Sequence, residues 1–208
     1  MRNLLPLFLD LTGRRVLLVG GGQVAAGKLG QLRAAGATVR VVSPLVVADI
    51  AATRDLDIVR RPFEPADLDD MWLVVAAATP AVNKEVADAA EQRRIFVNAV
   101  DDPPNATAYL SGVVRRDDVT IAISTSGDAP ALTSLIREAL DAVLPNDLAD
   151  WLRTARLQRR EWRRDGVPMQ ARKPLLLTAL NALYEGPGFS PPGSGTVPWL
   201  SAPEDSWL

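Results

Sequence analysis

A glycine-rich turn between an apolar strand and a helical pattern is the feature that most constrains the fold. The apolar residues 16–19 run into Gly20-x-Gly22-x-x-Ala25, and helical spacing of apolar residues follows. In such a turn the first glycine permits the tight bend, the second lets the backbone approach a pyrophosphate, and the small third residue lets helix pack on strand. The amides that open the helix then face the anion. The sequence therefore predicts a dinucleotide-binding turn rather than a purely structural one.

The second predicted strand leaves the choice of coenzyme open. It covers residues 37–42 and is followed by Ser43, Pro44 and Leu45. A typical NAD fingerprint has Asp or Glu near this point to bind the ribose 2′-hydroxyl. No acid stands there, and Arg40 lies inside the strand, where it is not placed for a 2′-phosphate. NAD and NADP both remain compatible with this segment.

Strands and helices alternate over the first 100 residues. Continuous apolar runs predict strands, and apolar residues at helical spacing predict the helices that connect them. The further strands are predicted over 58–61, 72–77 and 95–100, and the helices over 46–53 and 81–92. This alternation is typical of a Rossmann-like, doubly wound parallel sheet.

Ligands of such sheets bind beyond the carboxyl ends of the strands. The loops at those ends contain residues 20–24, Ser43 and Pro44, Thr79, and residues 98–102. We therefore expect these four loops to converge on one crevice.

The pattern changes after residue 105. Two short predicted strands, 109–114 and 119–123, flank a charged turn that suits a hairpin. The next helix has one apolar face, formed by Leu132, Leu135, Ile136, Ala139, Leu140 and Val143. A hairpin and helix this small need a partner surface, so we expect a homodimer, with docking inside one chain as the alternative.

A helical pattern then covers residues 148–184, with a break at 166–168, before a Pro-, Gly- and Ser-rich stretch. The predicted fold class of the chain is α/β. Its parts are an NAD(P)-binding Rossmann domain over 1–112, a small α+β dimerisation region over 113–146, a helical domain over 147–185 and a disordered tail over 186–208.

Composition excludes several kinds of site. The chain contains no cysteine and no histidine, so thiolate nucleophiles, disulfides and the commonest general base are absent. Carboxylates, hydroxyls, Lys and Tyr are left for proton transfer. The net charge of -2 gives no general attraction to nucleic acid.

The apolar run at residues 4–9 is too short for a signal peptide and is interrupted by Pro6, so we interpret it as an edge strand. No apolar run approaches the roughly 20 residues that span a bilayer. The expected location is the cytoplasm, without membrane attachment.

Four motifs in one order carry a family resemblance. They are the entry at residues 5–14, the glycine turn, the loop at residues 98–103 and the segment at residues 121–130. Together they resemble the precorrin-2 dehydrogenase/sirohydrochlorin ferrochelatase family, the amino-terminal module of siroheme synthase, over roughly residues 1–162. No methyltransferase pattern follows in this sequence, which resembles the stand-alone form.

The resemblance implies NAD-dependent oxidation of precorrin-2 to sirohydrochlorin in a homodimer. Many family members then insert ferrous iron, a substrate, to give siroheme. The family's essential aspartate falls on Asp101, at the end of a predicted strand. The cofactor contacts implied by the motif and the family fall on Gly20, Gly22, Gln23, Val24, Pro44, Leu45 and Thr79.

Candidate substrate-binding residues lie in the third and fourth motifs. They are Asn98, Ser124, Thr125 and Ser126. The hydroxyls and the helix amides beside them suit carboxylates, and the alternative for the three hydroxyls is an N-cap of the next helix. Asp101 could likewise be a turn cap rather than a proton acceptor. No metal-ligating set of protein residues is predicted.

An arginine run on the predicted carboxy-terminal helix also has two interpretations. It comprises Arg153, Arg156, Arg159, Arg160, Arg163 and Arg164. It fits a solvated helix face, and it also fits contacts to the carboxylates of a tetrapyrrole.

Three functions stay open on the sequence. They are a dehydrogenase that also chelates iron, a dehydrogenase alone, and a dinucleotide-sensing module without catalysis.

Overall fold

The computed structural model describes residues 3–184. Its first part is a five-stranded sheet of β1 (Arg15–Val19), β2 (Thr38–Val42), β3 (Asp57–Val59), β4 (Leu73–Ala76) and β5 (Phe96–Ala99). Neighbouring strands are parallel, in the order β3-β2-β1-β4-β5. This topology confirms the predicted Rossmann-like sheet. The strand order reverses between β1 and β4, which is where such sheets bind ligands.

Three helices connect these strands: α1 (Gln23–Ala34), α2 (Ala48–Ala51) and α3 (Pro80–Arg93). Short 3-10 turns lie at Pro65–Leu68 and Pro103–Asn105. The elements agree with the predicted ones to within a few residues, because apolar periodicity locates an element better than its ends.

Apolar clusters cover both faces of the sheet. Val16 and Leu18 pack with Ala25 and Leu29 of α1 on one face. Leu17 packs on the other, in the cluster that contains the α3 side chains. Burial on both faces explains why the strands read as continuous apolar runs instead of alternating ones.

The sheet is followed by a hairpin and three helices. These are β6 (Gly112–Arg116), β7 (Val119–Ile123), α4 (Pro130–Val143), α5 (Leu148–Arg164) and α6 (Met169–Asn181). The chain is divided into two compact units. One contains residues up to Gly112 together with Ala122–Arg137, and the other contains Val113–Ile121 together with the residues from Glu138 onward.

Aromatic side chains organise the second unit. Trp151 and Trp162 of α5 are buried, and the Tyr184 hydroxyl donates to Asp147 Oδ2 at 2.6 Å and accepts from Trp151 Nε1. The arginines of α5 are exposed, and Arg156 pairs with Asp118 at 2.8 Å. Solvent exposure favours the interpretation of the arginine run as a solvated face.

Two predicted strand assignments need correction. Residues 4–9 form no strand: they are exposed and make no sheet pairing, and Pro6 lacks the amide that an edge strand would donate. The strand predicted from residue 109 begins only at Gly112, because the Thr107 and Ala108 amides both donate to Val97 O, at 2.9 and 2.8 Å. The tail predicted over 186–208 lies outside the described residues.

In the part of the chain that the structure describes, no helix is long and apolar enough to cross a membrane.

Candidate dinucleotide and substrate cavities

Two cavities open at the carboxyl end of the sheet, and all of their lining residues belong to the first compact unit. We call them the glycine cavity and the aspartate cavity. The glycine cavity has a volume of about 470 Å³. The predicted cofactor residues that line it are Gly20, Gly22, Pro44, Leu45 and Thr79. The loops after β1, β2 and β4 therefore converge as predicted, whereas the fourth predicted loop, residues 98–102, lines the aspartate cavity instead of the same crevice.

The three adjacent glycines of the turn meet different surroundings. Gly20 has φ +118°, and a Cβ built on it would lie 2.2 Å from Ala77 O. A Cβ on Gly21 would lie 1.9 Å from Leu45 O. Gly22 differs, because a Cβ there would meet no protein atom within 4 Å. Gly20 and Gly21 thus bring neighbouring backbone together, while Gly22 leaves open space at the cavity wall.

Helix α1 begins directly at this open space. Gly22 is its N-cap, no side chain caps it, and its first turn contains no acidic residue. The helix dipole and unpaired first-turn amides favour an anion at such a terminus. The predicted residues Gln23 and Val24 form the first turn of α1, outside the lining of the cavity. This geometry fits the pyrophosphate of a dinucleotide.

Two guanidinium groups beside β2 and β3 are already paired. Arg40 Nε donates to Asp57 at 2.6 Å, and Arg61 Nη1 donates to Asp67 at 2.8 Å. Ser43 Oγ donates to Leu45 O at 2.7 Å. The charged side chain that does line the glycine cavity, among the described residues, is Glu85. A cavity with this lining offers no cation to a 2′-phosphate, so it favours NAD over NADP.

Asn83 connects the loops that follow β4 and β5, and no sequence motif marks it. This α3 side chain is 2% exposed. Its Oδ1 accepts from the Ala78 amide at 3.1 Å and its Nδ2 donates to Val100 O at 3.5 Å. Asn83 therefore holds one loop of each cavity in place.

The aspartate cavity has a volume of about 240 Å³. The loop after β5, the segment before β6 and the turn that leads into α4 form its wall. Of the predicted catalytic and substrate-binding residues, its lining contains Asn98, Asp101, Ser124 and Thr125. Ser126 is not part of the lining.

Asp101 and its neighbour Asp102 differ in their partners. Asp102 accepts from Asn105 Nδ2 at 2.8 Å and is the N-cap of the 3-10 turn at Pro103–Asn105. Asp101 is exposed, has φ +55° and shows no side-chain partner within residues 3–184. Asp102 thus occupies the N-cap position and is held by the Asn105 side chain, without a capping hydrogen bond to backbone. The Asp101 carboxylate is available to a ligand.

Asn98 has an unsatisfied acceptor in the same wall. It is 7% exposed, and its Nδ2 donates to Ala108 O at 3.0 Å. Its Oδ1 is buried and has no hydrogen-bond partner in the described part of the chain. Buried polar atoms are rarely left unpaired, so an orphaned acceptor beside a cavity suggests a donor that arrives with a ligand.

The hydroxyls before α4 hold their own turn. Thr125 Oγ1 accepts from the Ala129 amide at 3.3 Å and lies 2.9 Å from Thr133 Oγ1. Ser124 Oγ accepts from the Ser126 amide at 3.2 Å. Ser126 itself has φ +57°. These contacts lie within the turn before α4 and do not cap the helix, because Ala129 immediately precedes its first residue, Pro130. Ser124 and Thr125 also line the aspartate cavity.

Lys28 of α1 lines the aspartate cavity and is absent from the residues predicted to form a site. Helical spacing places it beside the face of α1 that contains the buried residues Ala25 and Leu29. The sequence does not show that Lys28 approaches the loop after β5, because that loop is distant from Lys28 along the chain. Within residues 3–184, no group of three or more metal-ligating side chains is present.

Comparisons with known proteins agree with this geometry. The family model described as "Putative NAD(P)-binding" matches residues 7–112, and the model for the central part of sirohaem biosynthesis proteins matches residues 116–142. Siroheme synthase 1 of Yersinia enterocolitica is 41% identical over 150 residues, which cover 70% of this chain and 32% of the relative. Siroheme synthase of Photorhabdus laumondii is 36% identical over 184 residues, 86% of this chain and 39% of the relative.

A solved structure of SirC, a precorrin-2 dehydrogenase, superposes with a TM-score of 0.65 and 28% identity, covering 84% of this chain and 88% of that one. The chain spans only about a third of the length of the siroheme synthases that it matches. The match to the NAD(P)-binding model covers half of the chain. The resemblance predicted from the four motifs is therefore confirmed, and the chain belongs to this NAD(P)-binding family, continued by the sirohaem biosynthesis central segment.

Proposed function

We propose that the chain catalyses the NAD-dependent oxidation of precorrin-2 to sirohydrochlorin in siroheme biosynthesis. The observation that carries this proposal is the pairing of an anion-binding turn with an unpartnered carboxylate. The glycine cavity fits a dinucleotide, and the Asp101 carboxylate lines the neighbouring cavity. Asn83 connects the two cavities, since it forms hydrogen bonds with Ala78 of the glycine cavity and Val100 of the aspartate cavity. The similarity to SirC, a precorrin-2 dehydrogenase, supports the choice of substrate.

The roles of the residues follow from their positions. Gly22 and the first turn of α1 bind the pyrophosphate, and Pro44, Leu45 and Thr79 border the remainder of the coenzyme. Bound NAD supplies a nicotinamide that accepts hydride. Oxidation of precorrin-2 removes a proton as well as a hydride, and the Asp101 carboxylate accepts that proton. The chain contains no histidine, and Asp101 is the carboxylate in the aspartate cavity that is not engaged by Asn105 as Asp102 is.

Insertion of ferrous iron into sirohydrochlorin is a second activity that the aspartate cavity supports. Metal entry displaces two pyrrole protons, and the Asp101 carboxylate is placed to accept protons there. The orphaned Asn98 Oδ1 is an acceptor suited to a pyrrole N–H. Iron is a substrate in this reaction rather than a resident cofactor.

We further propose that two copies of the chain associate through α4. The apolar side chains of this helix have no buried position, and Leu135 is 63% exposed. The sirohaem biosynthesis central segment, residues 116–142, contains most of this helix. We also propose the domain boundaries predicted from the sequence: an NAD(P)-binding domain up to residue 112, a dimerisation region up to residue 146 and a helical domain up to residue 185.

The test is anaerobic absorbance spectroscopy with precorrin-2 and NAD, followed by ferrous iron. Asp101→Asn keeps the side-chain shape and tolerates the same backbone conformation, but it removes the base. We expect a loss of about 100-fold or more in NADH formation with NAD affinity unchanged, a typical effect of deleting a general base.

Asp117→Asn is the matched control, because Asp117 also has positive φ, at +50°, but lies in the β6–β7 turn. It should oxidise precorrin-2 at the original rate. Full activity in Asp101→Asn would contradict the role of Asp101. Coenzyme binding without oxidation by the unmodified protein would favour a dinucleotide-sensing module. Sirohydrochlorin that accumulates in the presence of iron would show a dehydrogenase alone.

A further inference from the structure

The aspartate cavity contains a positive charge that none of the proposed roles uses. Its charged lining, among the described residues, consists of Lys28, Asp101 and Asp102. Asp102 is engaged with Asn105 at 2.8 Å. Lys28 is therefore the one cationic side chain on a wall that otherwise offers carboxylates, hydroxyls and backbone.

The packing of α1 explains why Lys28 reaches this wall. Ala25 and Leu29 of α1 are buried against the sheet in the same cluster to which Val100 and Leu110 contribute. Lys28 precedes Leu29 by one residue, so it lies on the flank of that buried face. The flank of α1 and the segment around the β5 loop therefore border one space, and Lys28 is half-buried there.

The ammonium group of Lys28 is available to a ligand. No carboxylate lies within salt-bridge distance of it in residues 3–184, whereas Lys84 pairs with Asp88 at 2.6 Å. A lysine without a protein counter-ion, lining a cavity, can form a charge-assisted hydrogen bond to an anion that enters beside it. The anion in question is not the coenzyme pyrophosphate, because Lys28 lines the aspartate cavity and not the glycine cavity.

We propose that Lys28 binds a peripheral carboxylate of the tetrapyrrole and so fixes the ring beside Asp101. This inference rests on the proposed function, since it names the contact that recognises the carboxylate-rich substrate. Asp101 alone would repel such a ligand, and Lys28 offsets that repulsion on the same wall. A lysine suits the task because its ammonium is a compact charge on a flexible stem that can follow a flexible carboxylate arm.

The test measures binding without turnover. Anaerobic titration of the full chain with sirohydrochlorin, without NAD, gives its Kd from the quenching of tryptophan fluorescence. We expect Lys28→Met to raise the Kd about 10- to 100-fold, as expected for loss of a charge-assisted hydrogen bond. Lys28→Arg should restore most of the affinity. Added salt should weaken binding less steeply in Lys28→Met than in the unmodified protein.

Lys84→Met is the matched control, because it also removes one lysine charge but lies on the exposed side of α3 in an ion pair. It should bind sirohydrochlorin as the unmodified protein does. NAD affinity should be equal in all variants. With precorrin-2 as substrate, Lys28→Met should raise KM with little change in kcat, the pattern for a contact made equally in ground and transition states.

Other results separate the Lys28 contact from the proposed reaction. Unchanged sirohydrochlorin affinity in Lys28→Met overturns it, and so does a loss of NAD affinity, which would assign Lys28 to the coenzyme. If the unmodified protein oxidises no precorrin-2 yet binds sirohydrochlorin through Lys28, the proposed reaction fails while the binding contact stands. If the unmodified protein binds no sirohydrochlorin, the contact itself is refuted.

Discussion

Gly20, Gly21 and Gly22 are consecutive, but a side chain would meet different surroundings at each. At Gly20 and Gly21 a Cβ would collide with backbone carbonyls of neighbouring loops. At Gly22 the protein leaves room, and φ is -83°, which any residue adopts. In the proposed function the need for glycine at position 22 comes from the ligand, whereas Gly20 and Gly21 are required by the fold itself.

Gly22→Ala should separate binding from folding. We expect the free energy of unfolding to change by no more than about 1 kcal/mol, because alanine restricts the unfolded chain more than glycine does but is less favourable at an N-cap. The affinity for NAD should fall by about tenfold or more, since the new methyl group occupies the space for the pyrophosphate. Urea denaturation and calorimetric titration with NAD measure the two quantities.

Gly30→Ala is the control for that experiment. Gly30 lies inside α1, and a Cβ there also meets nothing within 4 Å. This variant should gain about 0.5–1 kcal/mol of stability and bind NAD normally. Equal NAD affinity in Gly22→Ala and Gly30→Ala would refute a pyrophosphate at the start of α1.

At the scale of elements, the 3-10 turn at Pro65–Leu68 depends on one buried carboxylate. Asp67 is 4% exposed, accepts from the Glu64 amide at 2.9 Å and pairs with the Arg61 guanidinium. Burial by itself would raise the pKa of Asp67, but the hydrogen bonds from Arg61 and Glu64 outweigh it and hold the pKa below its ordinary value. Folding therefore favours the ionised carboxylate.

This lowered pKa predicts a specific loss of stability in acid. The unfolded Asp67 carboxyl titrates near pH 3.9, about its ordinary value. Its contribution is complete above that pH and disappears as the pH falls through the lower pKa of the folded state. We expect the free energy of unfolding, measured by urea denaturation, to fall less between about pH 5 and pH 2 in Asp67→Asn than in the unmodified protein.

Asp69→Asn serves as the control for the acid experiment. Asp69 also pairs with an arginine, Arg93, at 3.1 Å, but its side chain is 63% exposed. Exposed pairs contribute little to stability, so this variant should keep the acid sensitivity of the unmodified protein. Equal pH dependence in Asp67→Asn and the unmodified protein would contradict the prediction for Asp67.

The elements show what local sequence can and cannot predict. Apolar runs and helical spacing predicted β1 to β5 and α1 to α4 because burial on both sheet faces dictates those patterns. The same apolar pattern wrongly predicted a strand at residues 4–9, which pair with no edge of the sheet. Pairing depends on a neighbouring strand, and local pattern carries no information about that neighbour.

Site residues divide in the same way. Gly20, Gly22 and Asp101 were predictable because a motif or a strand end marks them. Asn83 and Lys28 were not, since each lies on a helix whose own periodicity explains its position. Their importance comes from tertiary contacts: Asn83 with Ala78 and Val100, and Lys28 with the aspartate cavity.

At the scale of the whole molecule, α4 presents apolar surface that the described chain leaves exposed. Leu132 is 49% exposed and Val143 is 68% exposed. The side chains share one face of the helix, and contiguous apolar surface of this kind marks an interface. A second copy of the chain can cover it with the identical face, because a two-fold interface is self-complementary.

Leu135→Lys should therefore convert a dimer into a monomer. The substitution places a charge in the centre of the proposed interface, once from each copy, and burying two unpaired ammonium groups is strongly unfavourable. Sedimentation velocity should give the mass of two chains for the unmodified protein and of one chain for the variant. Leu157→Lys is the control, because Leu157 is a 53% exposed leucine on α5, and it should remain dimeric. A dimer that survives Leu135→Lys but dissociates in Leu157→Lys would move the interface from α4 to α5.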